Sequence, residues 1–218
     1  MKLTVISATG GIGRALVEQA VAAGHDVTAV ARNADRIGSE GSVRAVQADL
    51  ADPSPTASAA LSSAVAGSDA VLSGLGPRTR ADVGIAEQGT RTLIRAMQAV
   101  DARRLVVVSA APVSTTSAPD PGNGFWARHL LYPVIGRVLR GNYADLAEME
   151  RALAASGLQW TAVRPPRLTD GPLTRRYRSA LDQNVRGGLS ISRADVAHLM
   201  LDVAGRPETA GHTVGCGY

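Results

Sequence analysis

Leu3-Thr-Val-Ile-Ser-Ala-Thr-Gly-Gly-Ile-Gly13 is the stretch that decides the fold. Leu3-Thr-Val-Ile6 is apolar and β-branched, the pattern of a buried strand, and it runs straight into a glycine cluster. Beyond the cluster, Ile12, Leu16, Gln19, Ala20 and Ala23 recur at helical spacing until Gly24 ends the pattern, as a residue just past a helix C-terminus does. Val27-Thr-Ala-Val-Ala31 is a second apolar run. Strand, glycine turn, helix and strand make a βαβ unit with a right-handed crossover. The start of its helix has unpaired N–H groups and partial positive charge, so it can hold a pyrophosphate where no side chain blocks the approach. Gly10 and Gly13 clear that approach and let the helix pack closely on the strand, so the expected ligand is a dinucleotide.

The end of the second strand chooses between dinucleotides. An NAD-binding chain usually places Asp or Glu there, accepting from the adenosine ribose 2′-OH. This chain has Ala31 and Arg32, with Arg36 one turn later. Two guanidinium groups suit a 2′-phosphate, and no carboxylate repels it. The expectation is NADP(H) in preference to NAD(H).

A length of 218 residues suits a single α/β domain over 1–218 with a real core. The longest apolar runs, such as Leu105-Val-Val-Val108, are far too short to span a bilayer. The N-terminus, one basic residue before a glycine-broken strand, does not read as a signal peptide. Cys216 is the only cysteine, which excludes an internal disulfide and a cysteine-built metal site; no metal and a cytoplasmic location are expected. The net charge of +4 brings nucleic acid to mind, but the arginines are scattered and one Phe, two Trp and four Tyr leave few rings to stack on bases. Lys2 is the only lysine in an arginine- and alanine-rich chain, the mark of a GC-rich coding bias, so the basic balance is given little functional weight. Neither nucleic acid nor membrane is expected as a partner. A small-molecule substrate is, with the chain a monomer or homodimer.

Further strands are expected over Ser42–Ala48, Asp69–Ser73, Leu105–Ser109 and Gln159–Val163. Helices are expected over Ala57–Ala66, about Ala81–Val100 and Tyr143–Ser156, with Ile85, Thr92, Leu93, Ala96 and Met97 of the second facing the sheet. The alternation implies a doubly wound parallel sheet. Residues 111–141 break the rhythm with Pro112, Pro119, Pro121, Gly122 and Gly124, then Phe125-Trp126 and His129-Leu-Leu-Tyr132. This insertion is open between a lid over the substrate, a dimer contact and the packing of an extra helix. After Pro165-Pro166 the chain must be extended. Thr174–Leu181 and Gly188–Ile191 read as strands of a small C-terminal, substrate-side extension. Ser192 and Asp195 form a capping box for a helix over Val196–Ala204, and His212–Val214 reads as a last edge strand.

Together, Ser7–Gly13, Ala31–Arg36, Gly157–Pro166 and Ile191–Ala197 resemble the atypical short-chain dehydrogenase/reductases, most closely their NAD(P)H-binding group that includes flavin reductases. The resemblance implies a Rossmann-like fold and further contacts. Ser7, Thr9, Gly10, Gly11, Ile12 and Gly13 would hold the pyrophosphate, Arg32 and Arg36 the 2′-phosphate, and Asp49 and Leu50 would border the adenine. Leu75 and Gly76 would run under the cofactor, Ser109 would approach the nicotinamide, and Pro165 and Pro166 would cover its far side. The family's first motif glycine falls at Ser7. Serine tolerates positive φ poorly, so either the loop is reshaped or the hydroxyl donates to a phosphate.

Two further departures bear on function. The Tyr-x-x-x-Lys dyad of the wider superfamily, in which lysine lowers the tyrosine pKa, cannot form: Tyr132 and Tyr143 are followed four residues later by Gly136 and Ala147. Where flavin reductases have a histidine after Pro-Pro, this chain has Arg167, which could stabilise developing charge or bind an acidic substrate. His25, His198 and His212 fall outside the expected site, and only His129, in the insertion, comes near it. Ser109 and Arg167 are therefore the candidate catalytic residues. The expected activity is NADPH-dependent hydride transfer to a flavin, quinone or similar conjugated acceptor. The alternative is a non-catalytic NADP(H)-binding redox sensor. Nucleotide-sugar epimerisation needs proton chemistry that the sequence lacks.

Overall fold

The computed structural model describes residues 1–37, 43–76, 82–113 and 140–218. The apolar runs form β1 (Lys2–Ile6), β2 (Asp26–Ala31), β3 (Val43–Gln47), β4 (Ala70–Ser73), β5 (Arg104–Val108) and β6 (Gln159–Arg164). These six lie in the order β3-β2-β1-β4-β5-β6, all parallel. The chain thus reverses its winding between β1 and β4, which opens a crevice above the C-terminal strand ends. This is the doubly wound α/β sheet expected from the sequence.

The C-terminal part departs from expectation. Residues His212–Gly217 are not an edge strand: they form β10, between β6 and an antiparallel β8 (Arg178–Leu181). The strand expected from Thr174 shrinks to β8 because the N–H groups of Thr174 and Arg175 donate to the Asp195 carboxylate, and Arg175 turns to φ +56°. Arg167–Thr169, expected only to be extended, pairs as β7 with β9 (Ser190–Ser192) in a separate two-stranded ribbon.

On one face of the sheet, α1 (Gly11–Ala22) packs against the helix Arg193–Ala204, named α5 below. The other face is covered by α2 (Pro55–Val65), α3 (Ile85–Ala99) and α4 (Arg140–Ala154). Of the expected α3 stripe, Leu93, Ala96 and Met97 are buried, while Ile85 and Thr92 lie at its margin. Ala86, Gly89, Thr90, Leu93, Ile94, Ala96 and Met97 are buried, whereas Thr92 is half-exposed, its hydroxyl donating to the Gln88 carbonyl of its own helix. The insertion and its aromatic residues fall almost wholly on 114–139, outside the described residues. Among the described residues, no helix is long and apolar enough to cross a membrane.

Half of the expected capping box exists. Ser192 Oγ accepts the N–H of Asp195 at 3.0 Å, but the Asp195 carboxylate does not return to Ser192. It accepts instead from the N–H groups of Thr174 and Arg175 and from the hydroxyls of Thr174 and Tyr218, at 2.7 to 2.9 Å. Burial opposes charge on this fully enclosed side chain, yet the four donors outweigh it and hold the carboxyl below its ordinary value. Cys216 is also enclosed, and burial pushes its thiol up to about 12, so it is not a thiolate at neutral pH.

A depressed carboxyl stabilises the fold above its unfolded-state pKa and loses that contribution as pH falls through the folded value. Asp195→Asn is expected to lower unfolding stability by about 2–3 kcal/mol at pH 7, the size of a lost charged hydrogen bond. In urea titrations the gap between variant and unaltered protein should close as the pH drops below about 4.

Candidate active site

Three backbone segments converge above β1 and β4. A Cβ placed on Gly13 would stand 2.1 Å from the Ser7 carbonyl oxygen and 2.9 Å from the Ala8 Cα. One placed on Gly74, just past β4, would stand 3.2 Å from the Gly13 nitrogen. The start of α1 is therefore pressed onto two strand ends through bare backbone. Ser7 itself takes the left-handed conformation, φ +62°, and its carbonyl accepts the Gly10 N–H at 2.8 Å. The turn is not reshaped around serine; serine adopts the glycine conformation, at a cost of roughly 1–2 kcal/mol.

Among the described residues, no side chain accepts from the first N–H groups of α1. Gly10 caps the helix with no side-chain hydrogen bond, and the first turn contains no acid. By contrast, α2 is capped by Ser54 and α5 by Ser192, while α3 is capped across space by the Asp145 carboxylate of α4, which accepts from Ala86 and Glu87. An uncapped, acid-free helix start opening into a cleft fits a pyrophosphate.

Two clefts flank that start and share Ser7, Leu75 and Gly76. The smaller, about 60 Å³, is lined also by Thr9, Ala31, Arg32, Asp49 and Leu50. The larger, about 420 Å³, is lined also by Gly10, Gly11, Ile12, Gly74, Val108, Ser109, Leu146, Leu168 and Arg193. The structure thus brings together most of the residues read from the sequence, while Gly13 lies beneath them as packing. Arg36 is not in the cleft of Arg32. It lines a neighbouring crevice with Arg14 and Glu18, and Arg14 Nε donates to the Thr9 carbonyl at 3.3 Å. Pro165 and Pro166 line neither cleft; the Pro165 carbonyl accepts the Ala111 N–H. Arg167 is exposed at the head of β7, and the next residue, Leu168, faces the cleft instead. A crevice of about 690 Å³ between α2 and α3 is larger, but it is set between helix surfaces and lacks the glycine turn.

Ser109 has a partner that the sequence reading missed. Its hydroxyl donates to Glu150 Oε1 at 2.6 Å, and Glu150 is in turn held by the Arg164 guanidinium through both carboxylate oxygens. Glu150 and Arg164 are both buried. The signal was present: an arginine ending the apolar strand Thr161-Ala-Val-Arg164 needs a buried acid, and Glu150 is on the helix just before it. Because Ser109 spends its proton on Glu150, it offers only lone pairs to the cleft. Tyr143 lines neither cleft, and burial pushes its hydroxyl up. His198 is paired with the Tyr177 hydroxyl and His212 with Asp182, away from the clefts. His129 lies outside the described residues.

A family model described as NAD(P)H-binding matches residues 7–207. The chain belongs to that NAD(P)H-binding family. This bears out the resemblance to the atypical short-chain dehydrogenase/reductases. Solved structures share the fold. An oxidoreductase from Lactococcus lactis superposes with a TM-score of 0.81 at 18% identity, over 100% of this chain and 90% of that one. A wide-type short-chain dehydrogenase/reductase from Veillonella parvula, in complex with NADP, gives 0.79 at 17% identity, over 100% and 94%. A candidate NADH-flavin reductase from Streptococcus pneumoniae gives 0.78 at 24% identity, over 100% and 99%.

Two variants test the construction. Gly13→Ala, with no room for even a methyl group, should lower stability by about 1–3 kcal/mol through overpacking, read as a fall in the denaturant midpoint. Glu150→Ala should cost about 3–5 kcal/mol by stranding a buried guanidinium, and adding Arg164→Met should restore most of it.

Proposed function

We propose that the chain is an NADPH-dependent oxidoreductase that passes hydride to a flavin, quinone or similar conjugated acceptor. The observation that carries this reading is the proton inventory of the larger cleft. Among the described residues, its inner end is formed by Val108, Leu146 and Leu168, and the hydroxyl beside them, that of Ser109, gives its proton to Glu150, while Ser7 lies at the glycine turn. Reduction of a simple ketone leaves an alkoxide that needs a donor in a dry pocket. A conjugated acceptor spreads the incoming charge and takes its proton from solvent. When bound, the reduced nicotinamide supplies the hydride. The chain positions the rings on an apolar floor and offers Ser109 as a hydrogen-bond acceptor.

The preference for NADPH is supported by Arg32, which is exposed, lines the smaller cleft and has no ion-pair partner among the described residues. Arg14 and Arg36 stand one crevice away. Fluorescence titration should show NADPH binding tighter than NADH. Arg32→Ala should weaken NADPH roughly ten- to a hundredfold, the loss of one charged hydrogen bond, and barely change NADH. Turnover is expected with FMN, FAD or quinones, and little with simple ketones or aldehydes. Equal affinity for the two cofactors would refute the preference, and robust ketone reduction would refute the mechanism. NADPH binding without turnover across the acceptor panel would favour the redox sensor, which the committed Ser109 hydroxyl also suits.

A further inference from the structure

We infer that Arg193 is an anion-binding residue of the larger cleft, whose guanidinium exchanges Asp170 for a phosphate group beside Gly11. Arg193 opens α5, and its backbone is fixed by the buried neighbours Ser192 and Asp195. Its side chain reaches back across the start of α1. A Cβ on Gly11 would lie 2.6 Å from Arg193 Cδ and 3.0 Å from Nε, so Gly11 is bare where the arginine is seated. Among the described residues lining this cleft, Arg193 is the only charged one. It faces the same space as the uncapped α1 start, so a fixed dipole and a mobile cation point at one volume.

The present partner is a weak hold. Asp170 pairs with Arg193, but its side chain is 91% exposed against 34% for the arginine, a rim pair that contributes little. A phosphate offers the guanidinium two oxygens and more charge, and Asp170 returns to water at little cost. The phosphate has two possible sources: the pyrophosphate of a dinucleotide, which rests on the reading above, or the phosphate of a phosphorylated acceptor, which does not.

The test is equilibrium titration of the unaltered protein, Arg193→Ala, Arg193→Lys and Asp170→Asn with four probes: NADPH, adenosine 2′,5′-bisphosphate, FMN and riboflavin. If the pyrophosphate is the ligand, Arg193→Ala weakens NADPH about tenfold or more and weakens the bisphosphate, which keeps only the adenosine-side 5′-phosphate, by less. Arg193→Lys then retains part of the affinity, and Asp170→Asn tightens NADPH up to a few-fold. If the acceptor phosphate is the ligand, Arg193→Ala removes a preference for FMN over riboflavin and leaves NADPH unchanged. Unaltered NADPH affinity together with an unaltered FMN-to-riboflavin ratio overturns the proposal, and so does an equal loss for all four probes. Failure of the unaltered protein to bind either NADPH or the bisphosphate overturns the dinucleotide reading instead, and the two flavins still decide the role of Arg193.

Discussion

The Ser7 carbonyl and the bare α-carbon of Gly13 share a space too small for a methyl group, and the rest of the site follows from that contact. It brings α1 down onto the end of β1, close enough that Gly74 beyond β4 also touches it. It requires the chain to double back immediately after the strand, which forces Ser7 into the left-handed region. It also leaves the first turn of α1 open above the sheet, between a cleft toward β2 and β3 and another toward β5. Glycine at position 13 therefore serves helix-on-strand packing first; the absence of a side chain toward a ligand is a consequence.

Buried polar groups fix the outer elements to this frame. Arg104, at the start of β5, uses all five guanidinium donors: on the Val203 and Ala204 carbonyls ending α5, on the Gln159 carbonyl, and on the hydroxyls of Thr161 and Thr209. Burial lowers its pKa, with Glu208 working the other way. Among the described residues no carboxylate touches the guanidinium, so carbonyls at a negative helix end carry the compensation. Asp145 does the converse, giving a carboxylate to the positive end of α3. Such groups contribute little net stability over apolar replacements, but each fixes one relative placement of helix and strand. Asp195 does so for the segment before β8, and Glu150 for the direction of the Ser109 hydroxyl.

What the sequence disclosed follows from the range of the forces involved. Strand, turn and helix order are local properties, and the six parallel strands were legible because each is a short apolar run between breakers. The C-terminal elements were not, because their state depends on partners far along the chain. Thr174 and Arg175 are withdrawn from a strand by Asp195, some twenty residues away, and His212–Gly217 becomes interior only because β8 folds onto it. The site shows the same division. Thr9 to Ile12, Arg32, Asp49 and Ser109 follow closely on the C-terminal ends of β1, β2, β3 and β5, whose location the sheet topology dictates. Arg167 is the residue directly after Pro-Pro, yet strand alternation in β7 puts Leu168 into the cleft. Arg193 was hidden inside a motif that reads, correctly, as a helix cap.

The distribution of charge across the two clefts has a chemical logic of its own. At the glycine turn the α1 start, Arg32 and Arg193 offer positive charge and donors, while the carboxylates of Asp49 and Asp82 line the smaller cleft. At the inner end the only polar side chain among the described residues is a hydroxyl already committed to a carboxylate that a buried arginine holds in place. Were Glu150 absent, Ser109 could turn its proton inward and polarise a carbonyl. With Glu150 held by Arg164, that rotation would take one of two donors from its buried Oε1, so the serine stays an acceptor. On the proposed reading, the Glu150–Arg164 pair thereby sets which functional groups suit the inner end: N–H and O–H groups or flat conjugated rings, in preference to an isolated carbonyl oxygen.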